Sequence, residues 1–213
     1  MRNTYATSFP ATENPISEGG IWQNGGVGGT MPFSNVKTVA GLAMADDYIY
    51  TGQDYEDSSA IIDPAFRNFG PDQWAEITIY HDPAYTPTSS HEVIVAMRGT
   101  VTVNGPNYYP HYHFLMSVNG GFQLFWLNGT LGHFVEISTS AHNGGLSAFV
   151  TGDVVRTEVQ GTALRIYQNS VLKHSATDAN ISTGQPGCMF YVVDFPRQDL
   201  AKFCISDFSC GSL

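Results

Sequence analysis

Two histidines stand two positions apart in the stretch YYPHYHF, residues 108–114. Successive side chains of a β-strand point to opposite faces, so His111 and His113 share one face and Tyr112 points away from them. Arg98, in the preceding strand-like run, can stand near His113. Together these groups would form a cationic, aromatic-lined patch suited to a general base and a clamp for a carboxylate. The same two histidines can also seat a metal ion, although no third ligand is identifiable.

Glycoside hydrolysis needs a different pattern, two carboxylates on one surface, about 5 Å apart for retention and further apart for inversion. The strand carboxylates of this chain stand on separate runs: Glu76, Glu92, Glu136 and Glu158. Two of them can converge across neighbouring strands. A solvated strand face is the favoured interpretation of each.

Aromatic platforms for a sugar are a third pattern, because rings stack on the C–H faces of a pyranose while polar groups orient its hydroxyls. The run DQWAEITIY alternates Trp74, Glu76 and Tyr80 against apolar residues. Trp74 is the best exposed candidate, since it alternates with apolar residues and shares its face with Glu76. The ligand-binding residues predicted from these patterns are Trp74, Glu76, Tyr80, Arg98, His111 and His113.

Composition restricts the partners. The 213 residues carry a net charge of −10 and only nine Lys and Arg residues, without a basic patch, which argues against nucleic acid. No run of about 18 apolar residues is present, so no membrane insertion is expected. Neutral glycans are compatible with this charge. The charged fraction of 13% is about half the usual value, and high Gly and aromatic content fits an extracellular or virion-surface protein. The N-terminal stretch lacks the apolar centre of a secretory signal.

The elements that must position these residues are short strands joined by tight turns. Asn-Gly, the strongest short hairpin signal, separates strand-like runs at Asn104, Asn119 and Asn128. The near-continuous apolar run GCMFYVVDF predicts a central strand covered on both faces. A helix is plausible only within DSSAIIDPAFRNF, where Pro64 limits it to about one turn. We therefore predict one all-β domain over residues 1–213, an antiparallel two-sheet β-sandwich.

Four stretches, in order along the chain, carry a resemblance: FPATENPISEGGIW, DQWAEITIY, GDVVRTEVQGTALRIYQNSVLKH followed by ISTGQPG, and ISDF. Together they cover nearly the whole chain and resemble the concanavalin A-like lectin/glucanase superfamily, in the laminin G-like form of many bacterial and phage proteins. The sequence departs from that pattern at Asn169-Ser170, where Asn-Gly is usual, and in lacking an arginine after the first Phe. The resemblance implies a jelly roll with one concave sheet.

The superfamily binds or cleaves glycans, often with a structural calcium, and many members serve only in adhesion or as scaffolds. A calcium site joining the first and last strands would draw on Asp207 and Glu18, and the acidic loop DDYIYTGQDYEDSS is a second option. Lyases of this fold use a Tyr or His base, which here gives His113, Arg98 and His111 as catalytic residues. The glucanase pattern E-x-D-x-x-E and the alginate lyase patterns R-x-E-x-R and Q-I-H are missing.

The favoured function is therefore non-catalytic, lectin-like carbohydrate binding on the concave sheet of an extracellular or phage-surface protein. Two alternatives stay open. One is a polysaccharide lyase or glycoside hydrolase with its site on the same face. The other is a structural or adhesion protein of a virion or cell surface. The three cysteines, Cys188, Cys204 and Cys210, are expected either as small buried thiols or with a Cys204–Cys210 bridge.

Overall fold

A computed structural model describes residues 3–25, 33–47, 57–85, 91–100, 110–128, 133–138, 145–192 and 199–213. Within these ranges there are fifteen strands and no helix, and so no helix that could cross a membrane. The strands are β1 (Thr4–Thr7), β2 (Trp22–Asn24), β3 (Ser34–Val39), β4 (Leu42–Ala45), β5 (Asp57–Ile62), β6 (Gln73–His81), β7 (His91–Gly99), β8 (His111–Ser117), β9 (Phe122–Asn128), β10 (His133–Ser138), β11 (Val154–Gln160), β12 (Ala163–Gln168), β13 (Val171–Thr177), β14 (Gln185–Val192) and β15 (Phe203–Ser212).

The strands form two hydrogen-bonded layers. Sheet A has the order β4-β15-β6-β11-β12-β13, with β1 also paired to β15. Sheet B has the order β10-β9-β8-β7-β14-β5, with β2 also paired to β5. Strand β3 connects the layers, because it pairs antiparallel with β4 and parallel with β5. All other pairs are antiparallel, which confirms the predicted all-β sandwich.

The main core lies between the sheets and follows the two-residue period of the strands. On β6 of sheet A, Ala75, Ile77 and Ile79 are fully buried. Alternate residues of sheet B face them, among them Val93 and Val95, which belong to the same hydrophobic cluster. Burial of this continuous apolar layer is the main stabilising contribution to a two-sheet fold.

Sheet B is also buried on its outer face, the one turned away from the main core. There a second apolar cluster forms from residues of β5, β7, β9 and β14, together with Phe33 just before β3. It consists of Phe33, Ile61, Ile94, Ala96, Leu127 and Met189, all fully buried. This burial confirms the prediction that β14 is covered on both faces.

Local turn chemistry explains how several strands are joined. Asn119-Gly120 closes the β8–β9 turn, with Gly120 at φ +86° and its N–H donating to Ser117 O at 2.9 Å. The pairs that begin at Asn104 and Asn128 lie wholly or partly outside the described residues. Asn169 and Ser170 join β12 to β13 with φ values of +50° and +65°, so the unusual Asn-Ser pair still adopts the left-handed backbone of a type I′ turn.

The structure decides two predictions about local structure. The stretch DSSAII is strand β5, and only a turn follows at Pro64, where the Phe66 N–H donates to Asp63 O, so the predicted helix is wrong. All six residues of β5 are buried, as expected of a strand that pairs with a neighbour on each side. Cys188, Cys204 and Cys210 are free buried thiols, and burial raises the pKa of each.

Candidate functional site: an acidic cavity on sheet B

The six ligand-binding residues predicted from the sequence do not share a surface. Trp74 and Glu76 alternate with core residues on β6 and face outward from sheet A, and Tyr80 packs in part against the main core. His111 and His113 belong to β8 and face outward from sheet B. The two sets are therefore on opposite sides of the sandwich.

The outer face of sheet A is occupied by side chains that pair with one another. The guanidinium of Arg156 lies 4.3 Å from the centre of the Trp74 ring, a cation–π contact. Arg156 also donates to Glu158 Oε1 at 2.9 Å, and Tyr167 donates to Glu158 Oε2 at 3.2 Å. Arg165 completes this cluster, 3.7 Å from the same carboxylate. One face of the Trp74 ring is thus covered by the Arg156 guanidinium.

The Arg98 guanidinium donates hydrogen bonds to backbone carbonyls instead of facing a ligand carboxylate. Its φ of +53° interrupts the strand alternation of β7, and its side chain is only 3% exposed. The guanidinium donates to three carbonyl oxygens, Pro71 O at 2.8 Å, Ile181 O at 2.7 Å and Gly161 O at 2.8 Å. Through these three hydrogen bonds the guanidinium connects three loops, and the Asp72 carboxylate lies 3.7 Å from it.

Glu18 and Asp207, the predicted calcium ligands, lie on opposite faces of sheet A. Glu18 accepts hydrogen bonds from Tyr5, Thr7 and Trp22 on the core side. Asp207 is exposed on the outer side of β15, and with Glu76 it lines a depression of about 310 Å³. The acidic-loop option lies mostly in residues 48–56, outside the described part of the chain. No group of three metal-binding side chains occurs among the described residues.

The two histidines are buried and joined to each other. His111 Nε2 and His113 Nδ1 are 3.0 Å apart, and Tyr112 points into the main core, as the sequence predicted. The ring of Phe134 packs against His113 at 4.9 Å and against His111 at 6.4 Å between centroids. Burial, and then the neighbouring His111, hold the pKa of His113 well below its usual value. His113 is therefore neutral at pH 7 and acts as a hydrogen-bonding group rather than a cation.

His113 forms one wall of a cavity of about 330 Å³ on the outer face of sheet B. We call it the acidic cavity because two carboxylic acids line it. Its volume falls within the range of about 300–1,000 Å³ typical of small-ligand sites. The lining residues are Asp57, Glu92, His113, Leu115, Gln123, Phe125, Phe134 and Tyr191.

The register of the strands explains why the two acids face one cavity. Tyr191 of β14 pairs with Asp57 of β5 on one side and with Glu92 of β7 on the other. Directly paired residues point to the same face of a sheet, so the three form one row with the tyrosine in the middle. Two strand spacings separate the backbones of Asp57 and Glu92, a distance of about 9.6 Å.

Burial changes the acid–base properties of one member of this row, Glu92. Asp57 is 4% exposed. Loss of hydration raises the pKa of Glu92 to about 7, and no described side chain makes a hydrogen bond or ion pair with its carboxylate. Near neutral pH Glu92 can therefore donate a proton or hold a hydrogen bond in either protonation state.

Sequence reasoning found part of this site. It identified His111 and His113 and named Glu92 among four strand carboxylates. Asp57 was assigned to an acidic loop and a short helix, and Tyr191 was hidden within an apolar run. The signal available for Tyr191 was a polar hydroxyl inside a largely apolar strand, because an uncompensated polar group is costly to bury. Asp57 carried no such signal, since two serines follow it in β5.

Comparison with solved structures supports the architecture. No protein-family model and no curated protein sequence matches the chain. The chain is similar in structure to carbohydrate binding module CBM66 from Bacillus subtilis, with a TM-score of 0.56 and 13% identity over 92% of this chain and 95% of that one. It is also similar to the exoplasmic/lumenal domain of VIP36 in its Ca²⁺-bound form, with a TM-score of 0.59 and 9% identity over 99% and 90%.

A third similar structure is the β-glucanase of Bacillus licheniformis, with a TM-score of 0.50 and 11% identity over 98% of this chain and 94% of that one. The fold is a concanavalin A-like jelly roll. At these identities the likeness establishes the jelly roll and leaves the chemistry to the site itself.

Proposed function

We propose that the protein binds a glycan in the acidic cavity of sheet B, as a lectin-like module of an extracellular or phage-surface protein. The observation that carries this proposal is the composition of the cavity. The rings of Phe125, Phe134 and Tyr191 surround a few convergent polar groups in a volume suited to a small ligand. Similar folds in a carbohydrate binding module and in VIP36, solved also in a mannose-bound form, support a glycan-related role.

The charges of the cavity favour a neutral glycan. Aromatic rings contact the C–H faces of a sugar, while Asp57, Gln123 and neutral His113 provide acceptors and donors for its hydroxyls. Among the described residues that line the cavity, a uronate would meet two acids and no Lys or Arg, and Arg98 is bonded to backbone carbonyls elsewhere. The lyase interpretation therefore loses the group that would neutralise its substrate.

Glycoside hydrolysis is the second candidate, and the row Asp57–Tyr191–Glu92 is the observation that favours it. Inverting enzymes place two carboxyl groups on one surface with room for a water between them. Asp57 and Glu92 both line the acidic cavity, from strands that are two spacings apart. Glu92, with its raised pKa, would protonate the leaving oxygen, and Asp57 would activate water. The raised pKa is that expected of a general acid.

A glycan array with neutral oligosaccharides, followed by calorimetry on the best ligand, tests the binding proposal. Tyr191→Ala and Phe125→Ala should each weaken binding at least tenfold, because each removes a ring from the cavity wall. Trp74→Ala on sheet A is the matched control and should leave the affinity unchanged. If Trp74→Ala abolished binding and the cavity variants did not, the site would be on the other sheet.

The same samples distinguish the alternatives. Release of new reducing ends, lost in Glu92→Gln while binding persists, would establish the hydrolase. No binding to any neutral glycan by the folded protein would favour a structural or adhesion protein of a virion or cell surface.

A further inference from the structure

A second cleft opens on sheet B at the opposite end from the acidic cavity, and its chemistry is different. It measures about 430 Å³ and is lined by carboxamide, hydroxyl and apolar groups. The side chains that matter are Gln23, Asn68, Gln185, Thr100, Pro64 and Pro71. None of the lining residues, all of which belong to the described ranges, is ionisable. We call this site the amide cleft.

The sheet register places the amide cleft on the same face as the acidic cavity. Gln23 pairs with Ile61, Ile61 with Gly187, Gly187 with Ala96, and Ala96 with His113. This row crosses five strands, so about 19 Å separates its two ends. One end of the row contributes Gln23 to the cleft, and the other contributes His113 to the acidic cavity.

Buried hydrogen bonds hold the walls of the cleft in place. Gln73 is fully buried and donates from Nε2 to Gly70 O at 2.7 Å and to Gly184 O at 3.0 Å, while its Oε1 accepts from the Arg98 N–H at 3.1 Å. The Arg98 side chain fixes Pro71 O. Gly184 has a φ of +140°, and a Cβ there would lie 2.2 Å from the Arg98 carbonyl, so only glycine fits.

The amides themselves leave one acceptor unused. Gln185 Nε2 donates to Asn68 Oδ1 at 3.3 Å, and Gln185 Oε1 accepts from the Phe69 N–H at 3.4 Å. Gln23 Oε1, in contrast, is buried without a hydrogen-bond partner among the described residues. Buried polar atoms are almost always satisfied, so an orphaned acceptor at the wall of a preformed cleft indicates a missing donor.

We propose that the amide cleft is a second binding site, for one neutral sugar unit whose hydroxyl donates to Gln23 Oε1. A charged ligand would lose its hydration there without gaining a counter-charge. Carboxamides offer a donor and an acceptor side by side, which matches adjacent sugar hydroxyls, and Ile61, Pro64 and Pro71 provide apolar contact for C–H groups. The choice of a sugar rests on the proposed function, whereas the neutrality of the ligand rests on the cleft alone.

The test is a ¹H–¹⁵N correlation titration of the full chain with glucose, galactose, mannose and N-acetylglucosamine, and separately with glucuronate. We expect at least one neutral sugar to shift the side-chain amide signals of Asn68 and Gln185 and the backbone signal of Gly184. Glucuronate should not shift them. Gln23→Leu should weaken this binding at least tenfold while leaving the thermal unfolding temperature unchanged or slightly raised, because it removes an unsatisfied acceptor.

Gln123→Leu makes the same chemical change in the acidic cavity and is the matched control. It should leave the shifts in the amide cleft intact, so a failure of one site is distinguishable from a failure of the other. The proposal is overturned if no neutral sugar shifts the cleft signals, if Gln23→Leu leaves the shifts unchanged, or if glucuronate binds equally well. It is also overturned if the tripeptide Gly-Asn-Gly shifts them and the sugars do not.

Discussion

The outer faces of the two sheets differ in how their polar groups are satisfied. On sheet A, Arg156, Glu158 and Tyr167 bond to one another beside an arginine-covered Trp74, at the surface. On sheet B, the polar groups are set among buried apolar residues, and the Glu92 carboxylate has no partner among the described side chains.

This difference shows which signal marks a site in this fold. Side chains that alternate cleanly along a strand, as on β6, can satisfy one another in solvent at little cost. A carboxylate on a strand that is apolar on both faces loses its hydration on folding, and its apolar neighbours offer no hydrogen bond in compensation. The second situation is the better indicator of a ligand, and four predictions test whether the contrast holds.

The largest effect is expected at Arg98, a buried residue of β7 that the sequence analysis predicted to bind the ligand. Arg98→Met should lower the free energy of unfolding by roughly 3 kcal/mol, because three carbonyl acceptors lose their donor. Urea unfolding followed by tryptophan fluorescence measures this. Arg156→Met on sheet A, the matched control, should cost less than about 1 kcal/mol. Equal losses would mean that Arg98 is not a structural arginine.

The second prediction concerns Glu92. Burial raises its pKa from the usual 4.5 to about 7 in the folded protein, so the folded state binds more protons between these values. Stability contributed by this group is therefore lost as the pH rises from 5 to 7.5, by roughly 2 kcal/mol after allowance for its partial exposure. Glu92→Gln should lack this loss, which unfolding curves at pH 5 and 7.5 measure.

The difference between variant and wild type isolates Glu92 from the buried histidine. The depressed pKa of His113 works in the opposite direction, since stability from that group is lost as the pH falls below about 6.5. Because His113 is present in both proteins, its contribution cancels. Parallel pH profiles for the two proteins would refute the assignment of a buried, unpaired acid.

The third prediction tests whether sheet A satisfies itself. A double-mutant cycle with Trp74→Ala and Arg156→Ala should give a coupling free energy of about 0.5–1 kcal/mol, as expected of an exposed cation–π pair. Unfolding of the two single variants and the double variant provides the cycle. Zero coupling would leave the Trp74 ring free to take a sugar and would weaken the contrast between the faces.

The smallest effect is expected at the β12–β13 turn of sheet A. Ser170 has a φ of +65°, a conformation in which glycine avoids the steric cost of a Cβ. Ser170→Gly should therefore stabilise the protein by about 0.5 kcal/mol, measured as a rise in the unfolding midpoint. Ser175→Gly, at an exposed position within β13, should instead destabilise it by a similar amount. A loss of stability in both variants would contradict the turn assignment.

The parts of the fold that depend on local pattern were predictable from the sequence. The alternation of DQWAEITIY gave β6, the apolar run GCMFYVV gave the doubly covered β14, and the third resemblance stretch gave the β11–β12–β13 meander. The site was predictable only in part. His111 and His113 were found because their two-residue spacing is local. Trp74 was wrongly placed beside them, because no pattern within one strand tells which sheet that strand joins. Arg98 does lie on a neighbouring strand, but its positive φ and its hydrogen bonds to three carbonyls could not be read from the sequence.

The sequence by itself therefore determined the β-sandwich, the core-facing residues of its strands and the shared face of the histidine pair, since each follows from a two-residue period and short turns. Tertiary structure alone decided that β5, β14 and β7 are neighbours, and this adjacency brings Asp57, Tyr191 and Glu92 into one row. These residues are separated by 35 and 99 positions along the chain. Their meeting depends on strand order, which is fixed by the packing of the whole sandwich.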